Sequence, residues 1–445
     1  MIKKLLLILL VSTLLTGNIF SSGFQINEHG AKAMAMAGAF TGFANDASAV
    51  YFNPAGITQL NGTYISAGTT LILPMSKFNG IEGAQIPGLL EPEQEYEMES
   101  QVFTPINFYL TQQITDEFFV GFSVNNPYGL GTKWEDTWAG RYLAVDTELR
   151  TFFFNLVLAY KVTENLSISG GFVYAMGDVK IIRNLFQADP VTRQVKADAQ
   201  TNLEGDGNAI GWTAGLFYMS KDKKSSIGIS VRSEVEFDFE GDATTTPATL
   251  DFVHPLAGPQ SITLPTGPIK ATLTTPMTVT AGFAAQIAEL TTLTGDIQWT
   301  GWSSYDTLAV DFESYPADPT NPAGPKLRTA APREYKNNYI FRLGIETELS
   351  KSFMLRGGIL YDTNPVPDRL VEPTLPDSDR LGLNIGFGYQ ITEGLSLDVA
   401  YMFLKFVNRT ISDSNIDSGY PVAIPFNGTY KSISHLFGVN FSYML

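Results

Sequence analysis

The chain has 445 residues, a formal net charge of −16, 44% hydrophobic residues and no cysteine. Absent cysteine excludes a disulfide scaffold, a thiolate metal site and a cysteine nucleophile. The excess of acidic over basic residues, 45 to 29, excludes nucleic-acid binding, which needs clustered Lys and Arg. A mean hydropathy of +0.02 argues against a helical membrane protein but leaves a β-barrel open, because barrel strands average an apolar face with a small or polar one.

In chain order, Lys3 and Lys4 precede an apolar run from Leu5 to Leu15, with small residues at Gly17, Ser21 and Ser22. That run is too short to cross a bilayer, so residues 1–21 are expected to be a signal peptide cleaved between 21 and 23. Residues 22–60 hold a small-residue helical stretch, Ala31 to Ala39, then a turn-rich segment through Asn45-Asp46 to Asn53-Pro54. Such a segment could lie in the periplasm or inside a barrel. Its apolar small residues with Phe24, Phe40, Phe43 and Phe52 favour the lumen, as an N-terminal hatch or plug.

From residue 61 to 445 the dominant signal is alternation with period two. Phe437, Val439, Phe441, Tyr443 and Leu445 alternate with Gly438, Asn440 and Ser442; Leu381 to Ile391 behaves likewise. Each run is about 10 residues, enough for a tilted strand to cross a bilayer. About fourteen such runs are joined alternately by short turns, such as Thr115-Asp116 and Thr392-Glu393, and by long segments near 74–101, 127–148, 183–208, 240–268, 305–334, 363–378 and 408–429. An even strand number with tight turns at one end and long loops at the other predicts an all-β fold, a 14-stranded antiparallel transmembrane β-barrel.

The lumen face departs from that of a water-filled porin. Along 149–160 one face carries Thr151, Phe153, Asn155, Val157 and Ala159; along 165–183 the inner parity reads Ser167 to Val173, Val179, Ile181 and finally Arg183. An apolar lining ending in one cation suits a ligand with a greasy body and an anionic head, and it equally suits packing against a plug. Little else carries chemistry. His29, His254 and His435 have no metal-ligand spacing, so no metal and no cofactor are expected. The enzyme alternative, an outer-membrane lipase, rests on His435 with Ser434 or Ser442, but adjacent strand residues face opposite sides. The row Glu91, Glu93, Glu95, Glu97 and Glu99 reads as a solvated loop face, or else as a cation bridge to lipopolysaccharide.

Several segments together resemble the FadL-type outer-membrane transporters of long-chain fatty acids and other hydrophobic compounds: Ser22-Gly23-Phe24-Gln25-Ile26-Asn27-Glu28, Asn53-Pro54-Ala55, Tyr128-Gly129-Leu130, Arg232-Ser233-Glu234-Val235, Pro365-Val366-Pro367 and Pro376-Asp377-Ser378-Asp379-Arg380. The resemblance covers the whole mature chain. It implies a hatch gated at Asn53, Pro54 and Ala55, and lateral release at a kinked third strand, here Asn126, Pro127, Tyr128 and Gly129. Pro127 has no N–H to complete a ladder bond. By the same resemblance Phe24 touches ligand and Arg183 pairs with a carboxylate, with Phe153, Val157, Val179 and Ile181 lining the pocket. The family's second pocket cation falls on Ala331, with Arg333 or Lys336 as possible substitutes. The expected protein is a monomer, inserted by the barrel-assembly machinery among outer-membrane lipid and lipopolysaccharide. It would pass fatty acids passively, neutral aromatic hydrocarbons being the alternative and a general porin the rival class.

Overall fold

Backbone groups facing lipid have no water to bond, so strands that alternate in polarity must pair all the way round. The computed structural model, which describes residues 23–80, 94–188, 195–254, 258–318, 321, 323–416 and 425–445, is a closed antiparallel barrel of 14 strands. The strands are β1 Thr63–Gly80, β2 Ile106–Gln113, β3 in two pieces (Phe118–Asn125 and Gly129–Lys133), β4 Asp146–Lys161, β5 Leu166–Ala188 and β6 Val195–Met219. Three two-piece strands follow: β7 (Ser225–Arg232, Val235–Thr246), β8 (Gly267–Thr275, Thr278–Ala288) and β9 (Thr291–Thr300, Thr307–Pro316). The remainder are β10 (Lys326–Pro332, Asn338–Ser350), β11 Phe353–Asp362, β12 Arg380–Gln390, β13 Leu395–Phe406 and β14 Gly428–Met444. Closure comes from β14 on β1, in register from Tyr64 opposite Met444 to Gly80 opposite Gly428.

The strands run well into segments that the sequence reading leaves as long loops at 183–208, 240–268 and 305–334. On β6 the outward face carries Asp198, Gln200, Asn202, Glu204, Asp206 and Asn208, then Ile210, Trp212, Leu216 and Tyr218. One continuous strand thus changes outward chemistry between Asn208 and Ile210, where it passes from the aqueous side into lipid. Alternation of hydrophobicity stops there although alternation of the backbone does not. Residues 1–22, which include the expected signal peptide at 1–21, and the carboxylates Glu91 and Glu93 lie outside the described residues.

The hatch lies inside the barrel. Its helices α1 (Ala31–Ala35) and α2 (Ala49–Phe52) and a 3-10 turn over Pro54–Gln59 pack against β4, β6, β12, β13 and β14 among others. Asn53 accepts from Ala55 N–H at 3.2 Å and caps that turn, with Pro54 at its first position. Ala33, Ala35, Met36 and Phe40 are fully buried, so the small-residue stretch is small because barrel wall surrounds it.

Candidate functional site

The lumen has two unlike walls. Ionisable side chains Asp296, Arg342, Glu346, Arg356, Asp362, Arg380 and Asp398 stand on β9 to β13, whereas β4 to β6 contribute Phe153, Val157, Val173, Ala175 and Phe217, all buried. The polar wall grips the hatch through its backbone. Asp296 accepts from Phe40 and Thr41 N–H at 3.1 and 2.9 Å, Asn384 donates to Met34 O at 2.6 Å, and Asn440 accepts from Ala31 N–H at 2.9 Å. Arg342 reaches Asn27 and Gln298, each at 3.0 Å. Arg356 pairs with Glu346 at 2.6 Å and Asp398 at 2.5 Å. Across the lumen, Asn53 Nδ2 donates to Thr41 O and to Leu216 O of β6, both at 3.0 Å. Gly228 makes that approach possible: a Cβ there would stand 2.1 Å from Thr41 O.

Above this seat lies an aromatic pocket, and the first described hatch residue with a side chain, Phe24, fills it. Phe24 packs edge-on against Trp302 at 4.7 Å, Tyr305 at 5.7 Å and Tyr128 at 6.0 Å. Phe153, Phe237, Leu273 and Tyr335 belong to the same buried cluster. Gly23 holds a φ of 61° against the face of Trp302, where a Cβ would come within 2.8 Å. Its N–H donates to Asp377 at 2.9 Å and its carbonyl accepts from Arg380 at 2.8 Å.

Phe24 is also tied to the barrel wall. β3 breaks between Asn125 and Gly129 around Pro127, and below the break it pairs with β2, but among the described strands its upper piece pairs with β4 alone. The freed edge bonds to the hatch: Ile26 N–H donates to Pro127 O at 2.9 Å and Gly129 N–H to Phe24 O at 3.0 Å, with Gln25 bridged to Tyr128. Asn126 patches the wall with its side chain, accepting from Ile106 N–H at 2.8 Å and donating to Thr151 O at 2.6 Å.

At the outer end of the pocket stand two arginines and one carboxylate. Arg333 ion-pairs with Glu372, the two side chains being 12% and 16% exposed. Arg183 feels the charges of both. Among the described residues its guanidinium takes no hydrogen bond or ion pair.

The structure therefore brings Phe24, Phe153 and Tyr128 together, with Val179 packed against the same cluster. Ile181 and Arg183 continue up the inward parity of β5. Val157 is a correction: it packs with Ala44, Val50 and Ile57 of the hatch and does not line the pocket. Of the two substitutes for the family's second cation, Lys336 is exposed, whereas Arg333 stands largely buried at the outer end of the pocket. Trp302, Tyr305, Tyr335 and Phe237 escaped the sequence reading because they sit at strand breaks or on upper pieces, where inner parity restarts. Glu95 and Glu97 pair with Lys77, and Glu99 with Lys133, as members of a solvated ion-pair row. Ser434 faces the lumen, buried, whereas His435 bonds Tyr401 at 2.8 Å on the opposite side. No Ser–His pair forms among the described residues. A concavity of about 810 Å³ is lined by Phe283, Ile297, Phe341 and Leu383 on the lipid-facing wall, away from this pocket.

A closed 14-strand barrel with an apolar outer band, a seated hatch and an aromatic lumen pocket defines a plugged outer-membrane channel. The chain belongs to the outer membrane protein transport family described as OMPP1/FadL/TodX, whose model matches residues 12–445. It is 28% identical to the long-chain fatty acid transport protein of Escherichia coli O6:H1, covering 97% of this chain and 96% of that one. It is 24% identical to outer membrane protein P1 of Haemophilus influenzae, with 97% and 96% covered. Among solved structures, a Pseudomonas aeruginosa FadL homologue superposes with a TM-score of 0.77 at 21% identity, over 95% of this chain and 100% of that one. The Ralstonia pickettii toluene transporter TbuX gives 0.68 at 15% identity over the same shares.

Proposed function

We propose that the protein admits hydrophobic compounds passively from outside, long-chain fatty acids foremost, and releases them sideways into the outer membrane. Residues 1–21 would direct export and be removed, and the barrel would work as a monomer after insertion by the assembly machinery among lipopolysaccharide. One observation carries the reading: Phe24 fills the aromatic pocket and at the same time bonds the open edge of β3 at Gly129. A ligand that takes the place of the ring also breaks the bonds that close the wall. Burial of Phe24 stabilises the resting state by about 2–3 kcal/mol, whereas a chain of roughly a dozen methylenes gains about 0.8 kcal/mol each on burial. The ligand wins, provided it binds the opened state better than the closed one. Neutral aromatics meet the same apolar requirement and are the second reading.

The test is binding of radiolabelled oleate and of toluene to purified protein, with Arg183→Ala alongside. Oleate binding weakened by Arg183→Ala, with toluene unaffected, is the expected result. Oleate binding indifferent to Arg183 would refute carboxylate pairing, and absence of binding by both would refute the transport reading.

A further inference from the structure

The loop between β11 and β12, residues 363–379, touches every part that transport would have to move. Its Glu372 ion-pairs with Arg333 within electrostatic range of Arg183, and Thr374 Oγ1 donates to Glu372 Oε1 at 2.6 Å. The carbonyls of Pro373 and Thr374 accept from Trp134 Nε1 and Thr132 Oγ1, both at 3.1 Å, at the upper end of β3. Asp377 accepts from Gly23 N–H, one residue before Phe24. A single loop thus joins the charge cluster, the broken strand and the residue that leads into the pocket.

Among the described residues, two guanidinium groups against one carboxylate leave the cluster net positive, in a place where neither Arg333 nor Glu372 is bathed by bulk water. We infer that Glu372 is a resident counter-anion that holds the place of a ligand's carboxylate, and that anionic amphiphiles enter the site by exchanging with it. The inference rests on the transport reading above and narrows its substrate class to long-chain carboxylates over neutral hydrocarbons. Two carboxylates crowded onto the same arginine pair repel each other, most strongly where water is scarce. An incoming head group that satisfies Arg183 and Arg333 therefore releases Glu372. With it goes the turn from Glu372 to Leu375, which is closed by its own bridge and docked on β3. A neutral ligand offers Arg333 nothing in exchange, and removing Glu372 for it would leave a buried charge unpaired. The tail displaces Phe24; the head moves the loop.

The test measures binding of oleate and of methyl oleate to the full exported chain in detergent. Glu372→Gln is expected to bind oleate about tenfold more tightly while methyl oleate is unchanged. Oleate binding that is unchanged or weaker overturns the exchange. Should that variant fail to fold, the chain's lack of cysteine allows a reversible lock, Thr132→Cys with Thr374→Cys, between β3 and the loop. The oxidised pair is expected to bind oleate about tenfold more weakly and to recover with reductant. Wild-type affinity in the oxidised protein overturns the exchange. A wild-type protein that binds neither lipid overturns the transport reading itself, and exchange falls with it.

Discussion

From a fully buried position the Asn53 side chain makes three hydrogen bonds, to Thr41 O, Leu216 O and Ala55 N–H. Only the Leu216 bond reaches the barrel wall, and Thr41 is itself held through its N–H by Asp296 on the far wall. Asn53→Ala removes all three and leaves the Thr41 carbonyl buried without that donor. At about 1 kcal/mol for each bond and a further 1 kcal/mol or so for the orphaned carbonyl, the cost is roughly 4 kcal/mol. That falls on the hatch and its seat and not on the barrel ladder, so the fraction of molecules with a loosened or unseated hatch is expected to rise by about three orders of magnitude. Amide hydrogen exchange resolves the two: residues 41–56 should lose protection while β4 to β6 keep theirs. Equal exchange in wild type and variant at residues 41–56 would refute the assignment of the seat to Asn53. Uniform loss across the barrel would show that the energy is spent elsewhere.

Asn126→Ala removes the side-chain patch between β2 and β4 and should lower the midpoint of heat-induced barrel unfolding by an amount equivalent to about 1–3 kcal/mol, read as the temperature at which the band shifts on a gel. Asp379, in the loop ahead of β12, is a second case. Burial raises its carboxyl to about 7, against a smaller opposing pull from Arg409. Its folded value lies above its unfolded one, so ionisation above pH 7 costs stability, and the cost fades as pH falls towards the ordinary carboxylate range. Asp379→Asn should therefore resist urea better than wild type at pH 8 and equally at pH 4; the same advantage at both would count against a buried ionisation.

The barrel was legible because lipid imposes one rule on every strand: each side chain that faces outward within the membrane must be apolar, so a period of two shows in the sequence. Where β6 leaves the lipid at Asn208 that rule lapses and the same strand reads as a polar loop. Inner parity could be followed as far as Arg183 because β5 runs without a break below it. It could not place Trp302 or Tyr305, which lie in the break of β9 between Thr300 and Thr307. Val157 shows another limit: inward parity alone does not say whether a side chain meets ligand or hatch. The pairing of Glu372 with Arg333 spans 39 residues and joins a loop to the end of a strand piece, where no periodic signal exists.

The separation of the hatch's seat from the aromatic pocket has a consequence for the cell that owns this protein. A channel for oily molecules is a hazard if it also leaks ions or hydrophilic poisons. Here the hatch is held at its seat by Asp296, Asn384, Asn440 and Arg342 and, from the facing wall, by the Leu216 carbonyl, while Phe24 and its aromatic neighbours lie above it. Traffic in the pocket above need not unseat the cork below. Selective permeability would then come from dividing the length of one pipe, the seat stopping water while oil leaves by the gap in β3.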